Sequence, residues 1–98
     1  MDPQVYRAVT SGNLGFFRNN WQNLDSHLKQ KSPRGDTILH IAARFGHDQI
    51  VQRILRTDRE LSFSENSISN LPLHEAASGG HQSTANKILD SALQGHQV

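Results

Sequence analysis

Apolar residues recur along the chain in short groups that repeat at a spacing of 34 residues. Leu39, Ala42 and Ala43 fall at positions i, i+3 and i+4, the spacing of one face of an α-helix. The nine-residue segment 39–47 returns as segment 73–81 with six identical positions. Because a fixed period of a few tens of residues marks a repeat architecture, we predict an array of stacked repeats.

The N-terminal third carries a weaker copy of the same pattern. Ala8 and Gly12 lie 34 residues before Ala42 and Gly46, and valine stands at both neighbouring apolar positions. A degenerate first repeat with a polar beginning suits the N-terminal end of an array. The sequence therefore predicts three units: a capping repeat over 1–33, a repeat over 34–67 and a repeat over 68–98.

Each unit is predicted to form a helix, a tight turn and a second helix. Gly46 and Gly80 should end the first helices, because glycine adopts the left-handed C-cap conformation without steric cost. Asp48 marks the start of a second helix, and Pro72 suits a first helical turn. Asp2 followed by proline suits an N-cap and the first helical position after it. The fold class expected from these signals is an all-α solenoid.

The second helices and the connections carry their own signals. Apolar stripes predict the second helices at Ile50, Val51, Ile54 and Leu55, and at Ala85, Ile88, Leu89 and Leu93. Clusters of turn-forming residues at 32–36 and 66–70 predict tips between the repeats. Trp21 aligns with Leu55 and Leu89 and is expected to anchor the core of the first repeat, the alternative being a contact with a partner. Leu61 and Phe63 are expected to tuck under the following repeat.

Composition limits the classes of function. With 98 residues the chain is expected to form one domain, and it contains no cysteine, which fits a reducing compartment such as the cytoplasm. A net charge of +1 gives no case for nucleic acid or an anionic membrane surface. Four arginines at 44, 53, 56 and 59 are interspersed with carboxylates, which favours a solvated helix face. No apolar run is long enough to span a bilayer.

Histidines are the only candidates for metal or catalytic chemistry. His40 and His47 are seven residues apart, as are His74 and His81, but two helical turns separate such pairs by about 10 Å, too far for one zinc ion. No nucleophile-elbow motif and no phosphate-binding loop is present. We expect the histidines to satisfy backbone groups at turns, and we expect no enzyme activity and no cofactor.

The repeated motif resembles the ankyrin repeat. The middle copy reads G-D-T-I-L-H-I-A-A-R-F-G-H and the last reads S-N-L-P-L-H-E-A-A-S-G-G-H. The resemblance implies an all-α ankyrin array that binds other proteins. It also implies a bond between the motif threonine and the histidine ring, so Leu71, which replaces that threonine, leaves His74 less well held than His40. Ser69 stands where the motif has the tip glycine.

The opening M-D-P-Q-V-Y-R-A-V-T-S-G-N-L-G-F-F and the segment I-L-R-T-D-R-E-L resemble plant ankyrin proteins of the accelerated-cell-death type. In that family a cytoplasmic ankyrin array precedes a C-terminal membrane domain with a Pro-Gly-Gly motif, which this sequence does not contain. The resemblance implies a setting in plant defence or stress signalling, at the cytoplasmic face of a membrane.

The family pattern places partner contacts at the variable positions of the tips and inner helices. The positions that correspond in this chain are Arg34, Asp36, Arg44, Phe45, Ser67, Ile68, Asn70, Ser78, Thr10 and Ser11. Phe45 is the strongest single candidate, because an apolar ring at an outward position suggests a partner. The alternative is that Phe45 packs on the first repeat beside Tyr6 or Arg7.

The end of the array raises a second hypothesis. Nothing after Leu93 resembles a polar cap, so Ile88, Leu89 and Leu93 are expected to lie bare on the outer side of the last repeat. The alternative function is therefore that of a truncated or regulatory fragment, which self-associates or pairs with longer membrane-anchored relatives through this end.

Overall fold

The computed structural model describes residues 1–19 and 24–94. Within these residues the ordered elements are helices, and no strand is assigned. In chain order they are α1 (Pro3–Ser11), α2 (Leu14–Asn19), α3 (Leu24–Leu28), α4 (Ile38–Arg44), α5 (Asp48–Thr57), a 3-10 helix (Arg59–Phe63), α6 (Pro72–Ser78) and α7 (Gln82–Gln94). The expected all-α fold class is confirmed.

The helix ends lie where the capping signals predict them. The Asp2 side chain accepts a hydrogen bond from the N–H of Gln4 at the start of α1. Gly12, Gly46 and Gly80 follow the inner helices α1, α4 and α6 with φ angles of 72°, 70° and 77°, the left-handed region that glycine occupies without strain.

The helices stack in two layers. The inner helix α4 packs between α1 and α6, and the outer helix α5 contacts both α2 and α7. Each repeat therefore buries its apolar stripe only against its neighbours, as expected of a solenoid. Val5, Leu39, Ile54 and Ile88 are all buried in one continuous core.

Two burial predictions are wrong in part. Leu61 is buried as expected, but Phe63 is 46% exposed, because residues two apart in a 3-10 helix point in different directions. Ile88 is buried rather than bare, whereas Leu89 is 43% and Leu93 56% exposed. Successive residues of an α-helix are turned by about 100°, so Ile88 faces the core while Leu89 faces outward.

The tips at 32–36 and 66–70 differ in the residue whose backbone adopts a left-handed conformation. Gly35 has a φ of 78°, and Ser69, its counterpart in the last repeat, has a φ of 63°. The serine therefore adopts the positive φ angle that the motif requires, at a cost of about 1 kcal/mol relative to glycine.

Trp21 lies outside the described residues. No helix in 1–19 or 24–94 is both long and apolar enough to cross a membrane.

Candidate partner-binding surface

Both described tips are shaped by one polar side chain that accepts two backbone N–H groups. The Ser32 hydroxyl accepts from the N–H groups of Arg34 and Asp36, each at 3.2 Å. Asn66 occupies the equivalent position, and its Oδ1 accepts from the corresponding two N–H groups of the last tip. Such turns are favoured by Ser and Asn because their side chains mimic a backbone turn.

The tips of the middle and last repeats are joined directly. The N–H and the hydroxyl of Ser67 both donate to the carbonyl of Arg34. A Cβ atom on Gly35 would lie 2.9 Å from the Ser67 nitrogen, so glycine at 35 permits this close approach. The tips therefore form a continuous edge along the stack.

Arg44 lies beneath this edge in an ion-paired position. Its Nη2 donates to Asp36 Oδ2 at 2.9 Å, and its Nε donates to Glu75 Oε1 at 3.0 Å. The Arg44 side chain is 24% exposed, while those of Asp36 and Glu75 are almost fully buried. The guanidinium thus links a carboxylate of its own repeat to one of the next.

Two asparagines complete this network. Asn66 Nδ2 donates to both Asp36 and Glu75 at 3.0 Å, and Asn70 Nδ2 donates to Glu75 at 3.3 Å. Burial alone would raise the pKa of each carboxyl, but the bonds from Arg44 and the asparagines outweigh burial and hold both pKa values below the ordinary range. Both carboxylates are therefore charged at neutral pH.

Three of the predicted contact residues belong to this network. Asp36, Arg44 and Asn70 hold the middle and last repeats together, and Asp36 is only 1% exposed. The carboxylate of Asp36 is therefore not presented to a partner, because it is already enclosed within the network.

Exposed apolar side chains lie around the network. Phe45 is 45% exposed, and its ring stacks on that of His47 with centroids 6.3 Å apart. Ile68 projects from the last tip with 60% of its surface exposed. A groove of about 390 Å³ between the first and middle repeats is lined by Met1, Tyr6, Ser32, Pro33, Arg34, Asp36 and Arg44.

The remaining candidates differ in accessibility. Ser78 is exposed at the end of α6, and Ser11 is exposed at the end of α1. The hydroxyls of Thr10 and Ser11 donate to the carbonyl of Arg7, at 3.1 and 2.7 Å. In the first repeat, Arg7 and Ser11 are therefore the residues of this surface that are mainly exposed to solvent.

The motif histidines bond to backbone carbonyls of neighbouring repeats. His40 Nε2 donates to the Asn70 carbonyl at 2.8 Å, and His47 Nε2 bonds the Thr10 carbonyl at 2.8 Å. Thr37 contacts His40 Nδ1 through its hydroxyl at 2.9 Å, as the family pattern implies. His74 instead accepts one bond from the N–H of Leu71 and is exposed. In the described residues no group of three or more metal-ligating side chains occurs.

Sequence reasoning missed three residues that shape this surface. Glu75 was given no role, although it replaces the buried Ile41 of the middle repeat. A charged residue at a core position needs a partner, and this signal could have pointed to Arg44. Asn66 was placed in the predicted tip 66–70 and Tyr6 was named only as a neighbour of Phe45, but neither was expected to shape the binding surface, since an asparagine in a turn and an isolated aromatic residue are common.

These features define an ankyrin-repeat protein. A family model described as ankyrin repeats (3 copies) matches residues 5–97, so the chain belongs to this family. Ankyrin repeats generally mediate protein–protein interaction, and the family is typically non-catalytic. Protein ACCELERATED CELL DEATH 6 of Arabidopsis thaliana is 33% identical over 91 residues, which cover 93% of this chain. The chain spans 14% of the length of that relative.

Proposed function

We propose that the protein is a non-catalytic interaction module that binds another protein along the tips and the ends of the inner helices. The observation that carries the proposal is Phe45, a large apolar ring that remains 45% exposed at the end of α4. Exposed aromatic residues on a rigid scaffold commonly dominate the binding energy of an interface.

Other exposed residues suggest which further positions contribute. Ile68 on the last tip and Tyr6 at the groove add exposed apolar area, while the side chain of Arg34 lines the groove. Asp36, Arg44 and Asn70 support this surface from below, and Ser78 extends it along α6. An apolar centre with a polar surround is the usual anatomy of a protein interface.

The similarity to Protein ACCELERATED CELL DEATH 6 supports a setting in plant defence or stress signalling. The absence of cysteine from the sequence supports action in the cytoplasm. The shared segment is the ankyrin array, so the contribution we infer for this chain is recognition of a protein rather than a reaction.

The test is to capture partners from plant extract with the chain and with two matched variants. Phe45→Ala and Phe63→Ala remove the same ring at positions of nearly equal exposure, 45% and 46%, but Phe63 lies in the 3-10 helix. We expect Phe45→Ala to abolish capture and Phe63→Ala to retain it, with unchanged helical circular dichroism in both. Equal capture by the two variants would contradict the proposed surface.

A further inference from the structure

The outer helices bring together basic side chains that lie far apart in sequence. A cleft of about 440 Å³ between α5, the 3-10 helix and α7 is lined by Arg56, Arg59 and Lys87. A second cleft, of about 260 Å³ between α2 and α5, is lined by Arg18, Arg53 and Arg56. Arg56 lines both clefts, so the two adjoin, and we call these five residues the basic face.

The structure separates the basic face from the other arginine of the same sequence stretch. Arg44 is enclosed by its ion pairs with Asp36 and Glu75, whereas Arg56 and Arg59 are exposed. In the part of the chain that the structure describes, no carboxylate forms an ion pair with Arg56 or Arg59. The guanidinium groups of these two residues are therefore accessible to an external anion.

Few carboxylates offset the charge of the basic face. Among the described residues, Asp90 is the only acidic residue that lines either cleft. Asp58 and Glu60 flank Arg59 in sequence but line neither cleft, and Asp48 lies outside both and accepts hydrogen bonds from two hydroxyls of α7. The local charge is therefore positive although the whole chain has a net charge of only +1. A cleft lined by one sign of charge focuses its field on a ligand of the opposite sign.

The other residues of the clefts favour a peptide over a nucleic acid or a bilayer. Gln49, Gln52 and Gln94 lie among the cations, and side-chain amides both donate to and accept from a peptide backbone. None of the described lining residues is aromatic, so no ring is present on which a base would stack. Leu14 is half-buried and Leu55 is only 6% exposed, so the lining offers no large apolar side chain to enter a bilayer.

We propose that the basic face binds an acidic segment of a protein partner, whose carboxylates pair with Arg56, Arg59 and Lys87 and whose backbone bonds the glutamine amides. Guanidinium groups suit this ligand because they hold a carboxylate through two parallel hydrogen bonds, and arginine clusters recognise acidic motifs in this way. The basic face lies on the outer helices, so it is separate from the surface centred on Phe45. The two proposals therefore stand or fall independently.

The test uses a fluorescently labelled oligo-glutamate peptide, titrated with the full chain in low-salt buffer and followed by fluorescence anisotropy. We expect saturable binding that weakens as salt is added, because salt screens exposed charges. NMR locates the contact, and we expect shifts at Gln52 and Arg56 but none at Phe45. An oligo-lysine peptide of the same length should not bind.

Variants of the chain separate the basic face from other cations. Arg56→Glu reverses a charge that both clefts share and should weaken binding by about fivefold or more, because it replaces an attraction by a repulsion. Lys31→Glu makes the same change of charge at an exposed residue just before the tip at 32–36 and should leave binding unchanged. Arg59→Gln removes a charge without adding one, should also weaken binding, and replaces Arg56→Glu if that variant loses helical circular dichroism.

Three results would overturn the proposal. The first is absence of binding at millimolar peptide, and the second is equal binding by Arg56→Glu and Lys31→Glu. The third is tighter binding to phosphatidylserine vesicles or to single-stranded RNA than to the peptide, lost in Arg56→Glu, which would assign the basic face to a membrane or a nucleic acid.

Discussion

The Arg44 guanidinium joins two repeats by donating to Glu75 Oε1 at 3.0 Å while it also donates to Asp36. Because Asp36 and Glu75 are buried, the network places two negative charges around one positive charge in a partly desolvated position. The asparagine N–H groups stabilise this arrangement, because buried carboxylates are tolerated only when their oxygens are hydrogen-bonded.

Removal of Arg44 should therefore destabilise the array more than loss of an ordinary surface arginine. We expect Arg44→Ala to lower the free energy of unfolding by about 3 kcal/mol, because it leaves two buried carboxylates without their cation. Arg34→Ala, on the exposed tip, should change it by less than about 0.5 kcal/mol. Urea unfolding followed by circular dichroism measures both, and equal effects would show that the network contributes little.

Ser69 offers a stabilising change at the last tip. Its φ of 63° is strained for a residue with a Cβ, so Ser69→Gly should raise the free energy of unfolding by about 0.5 to 1 kcal/mol. The reverse change in the middle tip, Gly35→Ser, should cost about 2 kcal/mol or more, because its Cβ would also press on the Ser67 nitrogen. A neutral or destabilising Ser69→Gly in thermal unfolding would argue that the tip relaxes in solution.

Leu71 and Thr37 form a second matched pair. The Thr37 hydroxyl accepts from the N–H of His40 and contacts the His40 ring, whereas Leu71 has no polar side-chain atom to offer. Thr37→Val should cost about 1 to 2 kcal/mol, and Leu71→Thr should gain about 0.5 to 1 kcal/mol by supplying the missing cap to α6. Chemical denaturation checks both values, and a loss of stability in Leu71→Thr would show that the leucine side chain contributes more by packing.

The repeats and most helix ends were predictable because they depend on local sequence. Gly46 and Gly80 end inner helices at any position in an array, and Pro72 begins one, so spacing alone located them. The polar network was not predictable in this way, because Asp36 and Glu75 are far apart in sequence and meet only when repeats stack. The stacking of the repeats also determines that the Asp36 side chain is buried while the Phe45 side chain stays exposed.

Burial of particular residues on a helix also depended on the stack. The apolar stripe of α7 predicted that Ile88, Leu89 and Leu93 belong to one surface, but the packing of α7 on α5 takes only Ile88 into the core. Periodicity defines a stripe about a third of a helix wide, and the neighbouring helices determine which edge of that stripe they cover.

Stability should fall in two stages on acidification. Burial lowers the pKa of His40 below its ordinary value, so between the two values the unfolded chain binds a proton that the folded chain does not. Stability should therefore decline as the pH falls below about 6.5, the ordinary pKa of histidine.

The second stage comes from carboxylates. The pKa values of Asp36, Glu75 and Asp48 are also lowered, because hydrogen bonds outweigh the opposite effect of burial. Their contribution is present above about pH 4.5 and is lost as the pH falls further.

Urea unfolding from pH 8 to pH 3 measures this profile, and NMR titration of the His40 ring isolates the first stage. We expect the folded ring to titrate below about pH 6.5, because protonation of Nδ1 would oppose the N–H of Thr37, which already donates to it at 3.1 Å. The donor bond from Nε2 to Asn70 survives only while the two repeats remain stacked, so loss of this bond should accompany loss of the interface. A ring that titrates at its ordinary value, with constant stability between pH 7 and 5, would show that His40 is solvated in solution and that the interface is looser than the structure describes.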